Sequence, residues 1–443
     1  MRVVILSSIK NEGFRGLLKN KFPAILRFRR EMREKMRKHN IKNRSAKVVA
    51  LERGKIEEIR GKELIRVAFV ISFHSAWKLD SLYTLMLEDS RFSPFVVIAP
   101  IVGRDASWSR KEINTIFNYH DSRSREIYVG NMDDAYNRLL IDKANPDIVF
   151  ATNPFPLVPK SLHAELLKKY LMCYVPYHME VGRYGGDQGQ YNSYFHNSVW
   201  KIFSPHSVSL QTFRDVQIRK GRNVIVTGYP GIEPLLASHR PQITSWKIGA
   251  EKKIIWAPHH TIDMPSLPYS NFLKYAELFM KLVDRYSGRV HWSFKPHPLL
   301  YPKLIEHPDW GKERTNAYYA FWKENKNSQF DDGGYTDLFI ESDAMIHDSG
   351  SFLAEYLYVD KPVLYVWSSP SVSNYFNDFG LEALDACARA DCEKDIVNFI
   401  EEVLEGRNTF SNSRRSFLDR WTPSSGSSPS ARILSHLSQE LIQ

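Results

Sequence analysis

The chain has 443 residues, 43% hydrophobic and 25% charged, enough for two domains of roughly 150 residues, each with its own core. Its formal net charge of +10 sits at one end: residues 1–66 hold 20 Lys and Arg against 7 Asp and Glu, the other 377 hold 40 against 43, and a near-neutral body argues against nucleic acid as a partner. No apolar run approaches the roughly 20 residues that span a bilayer, the opening MRVVILSSIKNEG is too short in its apolar part for a secretory signal, and three scattered cysteines suit neither a disulfide framework nor a zinc site, so a cytoplasmic protein is expected.

Residues 19–40, KNKFPAILRFRREMREKMRKHN, place Phe22, Ile25, Phe28, Met32 and Met36 at helical spacing, with Pro23 in the first turn, where it is tolerated. Lys and Arg fill most of the remainder. Such a helix can lie on an anionic membrane surface at the inner face of the cell membrane, or pack its narrow stripe on the body or on a second subunit of a homodimer. Residues 41–62 are polar and unpatterned and read as a linker, which makes 1–65 a basic extension.

From residue 66 the pattern alternates between strand and helix. RVAFVISF (66–73), FVVIA (95–99), REIYVG (125–130), PDIVFAT (146–152), YLMCYVPY (170–177), VWKIFSP (199–205) and NVIVTGYP (223–230) predict buried strands, with helical KLDSLYTLMLEDS, MDDAYNRLLIDK and SLHAELLKK between some of them. Strands separated by helices imply a parallel, doubly wound sheet. Pro234 and Pro241 break the stretch 231–249, and a second alternation follows with KIIWAP, RVHWSFKP, DAMIH and PVLYVW. The expected division is an acceptor domain over 66–235, a nucleotide-donor domain over 250–392, and a C-terminal helix and tail over 393–443.

Chemistry is expected where these strands end, because open α/β sheets bind ligands beyond the carboxyl ends of their strands. HWSFKPHP (291–298) delivers Lys295 and His297, and SDAMIHDSGS (342–351) delivers Asp348, Ser349, Gly350 and Ser351 at the start of the helix FLAEYLYV. Free N–H groups, hydroxyls, a Lys and a His make a phosphate pocket the simplest reading. Asp348 fits a loop-fixing role better than a reactive one, since a bare carboxylate repels phosphate. Glu355, one turn further on, can bind ribose hydroxyls. WAPHHT (256–261) adds His259 or His260; neighbouring residues on a strand point apart, so one of the two is expected in the pocket. YLMCYVPY ends at His178, a candidate base for an acceptor hydroxyl, with Glu180 to orient it or to act as the base itself. The acidic DDGGYTD (331–337) reads as a loop, no HExxH-type spacing occurs, and neither a metal nor a cofactor is expected.

KPHP, then DSGS with a following KPVLY, resembles the Lys-x-His-Pro, Asp-Tyr-Ser-Ser and Lys-Pro pattern of the CDP-glycerol glycerophosphotransferases of teichoic-acid and capsule synthesis, over about the last two hundred residues. The UDP-N-acetylglucosamine 2-epimerases carry a related Asp-Ser-Gly-Gly followed by Glu-Glu; this chain has DSGS and a single Glu355. The resemblance implies an α/β, GT-B-like fold of two Rossmann-type doubly wound domains facing across a cleft, with the last helix returning to the first domain. It implies a transferase that moves glycerol or polyol phosphate from a CDP-activated donor to a lipid-linked or polymer acceptor; a nucleotide-sugar glycosyltransferase and an epimerase-like isomerase stay open as alternatives. A cleft histidine in a Trp-His-Gly setting serves that family as candidate base, and His178 stands here in YHMEVG instead.

Overall fold

The computed structural model describes residues 23–183, 186–237, 245–246, 251–422 and 427–442. The chain's opening, Phe22 of the predicted first helix, part of the glycine-rich loop after His178, most of the expected domain boundary at 231–249 and part of the serine-rich stretch near 422–430 lie outside the described residues.

Helix α1 (Pro23–Arg60) runs unbroken through the segment read as a linker. Ile41, Val48 and Ile59 are its buried apolar residues there. Spacings of 7 and 11 are close to whole numbers of turns, so the three share one face with a single contact every two or three turns, too sparse to register as a period. Polar ties complete the docking. The Arg219 guanidinium holds the Glu52 carboxylate at 3.0 Å, and Lys55 Nζ donates to the Lys168 and Tyr170 carbonyls at 3.1 and 3.3 Å. Towards its start the same helix shows its apolar side chains to solvent: Phe28, Met32 and Met36 are 63%, 42% and 56% exposed.

Two parallel sheets follow. The first has β1 (Ile65–Ile71), β2 (Phe92–Ile98), β3 (Ile127–Val129), β4 (Ile148–Ala151), β5 (Leu171–Tyr174), β6 (Lys201–Ser204) and β7 (Val224–Val226) in the order β3-β2-β1-β4-β5-β6-β7. The second has β8 (Lys252–Ala257), β9 (Val290–Phe294), β10 (Ser328–Phe330), β11 (Ala344–His347), β12 (Val363–Val366) and β13 (Ala388–Ala390) in the order β10-β9-β8-β11-β12-β13. Runs such as FSPFVVI in β2 and VHWSF in β9 are buried at every residue, because helices cover both faces of a parallel sheet. β10 and β13 have no counterpart among the predicted strands. Each is an edge strand of three residues, SQF and ARA, too short and too polar to stand out.

The chain also closes on itself. The last helix of the chain, Pro429–Leu441, packs Ile433, Leu437 and Leu441 into the core of the first sheet, beside Leu82, Met86 and Ile59. The helix Glu393–Leu404 belongs instead to the second core, with Ile396, Phe399 and Ile400.

Candidate active site

β11 ends at His347, and its next residues lie deep between the strands. Asp348 is fully buried and accepts two backbone N–H groups from other segments, His259 at 2.6 Å and Asn271 at 2.5 Å. It therefore pins the ends of β11 and β8 and the start of helix α2 (Phe272–Arg285) to one another. Burial lifts its carboxyl to about 7 against the pull of those N–H groups. Ser349 precedes helix α3 (Gly350–Glu355) as its N-cap, yet makes no capping bond with its side chain. A hydroxyl at a helix start that is not spent on the helix is disposed to meet a ligand.

β9 supplies the facing wall. The Lys295 N–H donates to the Trp256 carbonyl at 2.8 Å and the His297 N–H to the Pro258 carbonyl at 3.0 Å, which extends the β8–β9 pairing past the strand ends. Lys295 is 6% exposed, and its ammonium donates to the Gly333 carbonyl at 2.5 Å. Burial pulls it down to about 8, with Asp331 and Asp332 working the other way. The loop DDGGYTD thus lies beside the pocket and supplies a carbonyl and nearby negative charge.

His259, His260 and His297 come together, where one of the first two was expected to turn away. Their ring centroids are 4.4 Å (259 to 260), 4.1 Å (260 to 297) and 5.1 Å (259 to 297) apart. Strand alternation stops with β8 at Ala257, and Pro258 bends the chain, so the rule that neighbours point apart no longer holds. Burial holds all three rings neutral, His260 at about 4 and His297 at about 3. One nitrogen from each of the three lies within 4.8 Å of the others, close enough to weigh as a metal site. His297 Nδ1 accepts the Leu299 N–H at 3.1 Å, an arrangement that places the proton of the neutral ring on Nε2 and leaves that N–H as a donor.

Across the cleft, His178 is half-buried and its Nδ1 accepts the Glu180 N–H at 2.9 Å. The same logic puts its proton on Nε2, and burial holds the ring down to about 4. The hydrogen bond between the two residues thus runs through the Glu180 backbone. The Glu180 carboxyl is buried, its Oε2 has no hydrogen-bond partner, and burial raises it to about 7. Its backbone takes the left-handed conformation at φ +51°, strained for a residue with a side chain. That turn is clasped by the second domain: Asn377 donates from its side chain to the Glu180 carbonyl at 2.5 Å and from its backbone to the Val181 carbonyl at 3.0 Å. Helix α4 (Asp378–Asp385) starts there, and a Cβ on Gly380 would stand 2.3 Å from the Val181 carbonyl, so this approach requires glycine.

Glu355 is buried and held by tyrosines. Tyr335 donates to its Oε2 and Tyr229 reaches its Oε1 at 3.5 Å, while Tyr229 also donates to the Tyr177 carbonyl at 2.6 Å. This chain joins α3 of the second sheet to the segment carrying His178. Lys78, Asn271, Tyr229, Tyr335 and Asn377 escaped sequence reasoning. Each is a single polar residue in an ordinary helix or loop context, and only the fold brings them to the cleft.

Two doubly wound parallel sheets, one in each domain, give the chain a two-domain, GT-B-like fold. The profile of the family described as CDP-Glycerol:Poly(glycerophosphate) glycerophosphotransferase matches residues 175–439, more than half of the chain, and the chain belongs to that family. Solved structures with the same fold include MnaA of S. aureus with UDP (12% identity, 85% of this chain and 97% of that one, TM-score 0.55). The UDP-GlcNAc 2-epimerase of Neisseria meningitidis bound to UDP-GlcNAc is alike at 12% identity, 85% and 100% coverage and a TM-score of 0.54. The wall teichoic acid polymerase TagF, soaked with CDPG, matches at 12% identity over 91% of this chain and 98% of its own, with a TM-score of 0.54. At such identities the likeness concerns the fold. No curated protein sequence matches the chain.

Proposed function

We propose that the protein transfers glycerol phosphate, or a related polyol phosphate, from a CDP-activated donor to a hydroxyl on a teichoic-type wall or capsule polymer or its lipid-linked primer. The observation that carries this reading is the cluster of His259, His260 and His297 at the ends of β8 and β9, with Lys295 leaving β9 and Ser349 following the neighbouring β11. In the reaction the acceptor oxygen attacks the glycerol-bearing phosphorus, the bond from that phosphorus to the CMP oxygen breaks, and CMP leaves with the negative charge. Fixed donors at that charge lower the barrier most where water is excluded. Family membership and the fold shared with TagF support the donor class.

The acceptor's proton goes to His178 Nε2 in this reading. That nitrogen must first be bare, so the ring has to carry its proton on Nδ1 and release the Glu180 N–H. The exposed stripe Phe28, Met32 and Met36, set among basic residues, supports a peripheral seat for α1 on an anionic membrane, where a lipid-linked acceptor resides. No described helix is long and apolar enough to cross a membrane.

Calorimetric titration of the full-length protein tests the donor class. CDP-glycerol and CMP are expected to bind, and tight binding of UDP or GDP with none of either cytidine nucleotide would overturn the assignment.

A further inference from the structure

The walls of the cleft are bridged beside the donor pocket by a side chain that the reaction above does not use. Lys78 follows β1 and is half-buried. Its Nζ donates to Tyr335 Oη at 2.8 Å and stands 4.3 Å from the centre of that ring, and Tyr335 passes its own proton towards Glu355. A desolvated ammonium resting on a neutral hydroxyl is poorly compensated, and here burial lowers its basicity with Glu355 as the opposing charge. Lys295 comes from the opposite wall and donates to the Gly333 carbonyl, two residues before Tyr335, so the two ammonium groups rest on one short loop of the second domain. Two ammonium groups so placed favour an anion that joins them, although Asp331 and Asp332 already answer part of the charge at Lys295. Glu355 does the same for Lys78, but its carboxylate already receives Tyr335.

We propose that Lys78 is the first domain's ligand to the donor's phosphates: with donor bound, the ammonium reaches the diphosphate opposite Lys295, and Tyr335 and Glu355 hold it in place until then. The proposal rests on the donor-pocket reading above and adds a residue from the other domain. A purely structural role, in which Lys78 latches the domains through Tyr335 and Glu355, is the rival.

The test is calorimetry on full-length wild type, Lys78→Ala, Lys78→Met and Lys78→Arg with CDP-glycerol, CMP and cytidine. Loss of the ammonium should weaken CDP-glycerol at least tenfold and leave cytidine within twofold. It should also flatten the salt dependence of CDP-glycerol binding, and Lys78→Arg should restore most of the affinity. Lys78→Met keeps the aliphatic stem should Lys78→Ala fold poorly. Unchanged CDP-glycerol binding, or equal weakening of cytidine and CDP-glycerol, would overturn the proposal in favour of the latch. If wild type binds UDP rather than cytidine nucleotides, the UDP and uridine pair replaces them; a phosphate-dependent loss then upholds Lys78 while the CDP assignment falls. Binding of no nucleotide at all would sink both.

Discussion

At the scale of single residues the site is governed by burial acting on titratable groups. Neutral rings at His178, His259, His260 and His297 donate or accept without carrying charge, and the positive charge at the donor pocket is that of Lys295. Glu180, like Asp348, is a buried carboxyl lifted to about 7, in its case from 4.5. The folded chain keeps that proton where the unfolded chain has lost it. The associated stability is therefore full below about 4.5 and is lost as pH rises through about 7, on the order of 3 kcal/mol in all. Glu180→Gln removes this dependence and keeps the shape of the side chain. Thermal unfolding of both proteins from pH 5 to pH 8 should show the midpoint of the Gln variant gaining on wild type as pH rises. Parallel curves would mean that Glu180 ionises normally in the fold. The buried histidines titrate in both proteins and cancel in the difference.

At the scale of elements, α1 is two things in one helix. Its later half is part of the first domain through Ile41, Val48, Ile59 and the Glu52–Arg219 pair; its earlier half is basic, with an exposed apolar stripe. A deletion ending at residue 62, which the linker reading would tolerate, therefore removes core. Each of the three apolar residues contributes about 1.5–3 kcal/mol. A deletion ending at residue 40 should leave a soluble protein with an unchanged unfolding midpoint, while the longer one should lower it sharply or prevent folding. In sedimentation with anionic vesicles the full chain should bind and come off as salt rises, and the shorter deletion should not bind. If both ignore the vesicles, the membrane reading of α1 is lost; if the deletion turns a dimer into a monomer, the helix is a subunit arm. The strands with apolar runs of four or more were legible in the sequence because burial on both faces leaves a one-dimensional record. α1's docking face, β10 and β13 were not, since their contacts are spaced too widely or are too few.

At the scale of the whole molecule, the ties that join the two sheets include the clasp of Asn377 on the Glu180 turn, the stack of His206 on Phe379 at 4.1 Å, the Lys78–Tyr335 bond and the last helix in the first core. The pocket's own strand ends, KPHP and DSGS, could be read from sequence because small and charged residues interrupt buried strands there. The cross-cleft residues could not, because Lys78 and Tyr335 are 257 positions apart and meet only when both domains are in place. The most direct measurement incubates the full-length protein with CDP-glycerol labelled in the glycerol and a glycerophosphate-primed lipid acceptor, and follows CMP release and label incorporation together. One CMP should appear for each glycerol phosphate incorporated. His297→Ala and Ser349→Ala should each slow both at least tenfold, about 1.4 kcal/mol or more of lost transition-state stabilisation, with unfolding midpoints unchanged. Conversion of UDP-N-acetylglucosamine to its 2-epimer without any acceptor, with CDP-glycerol left intact, would contradict the assignment.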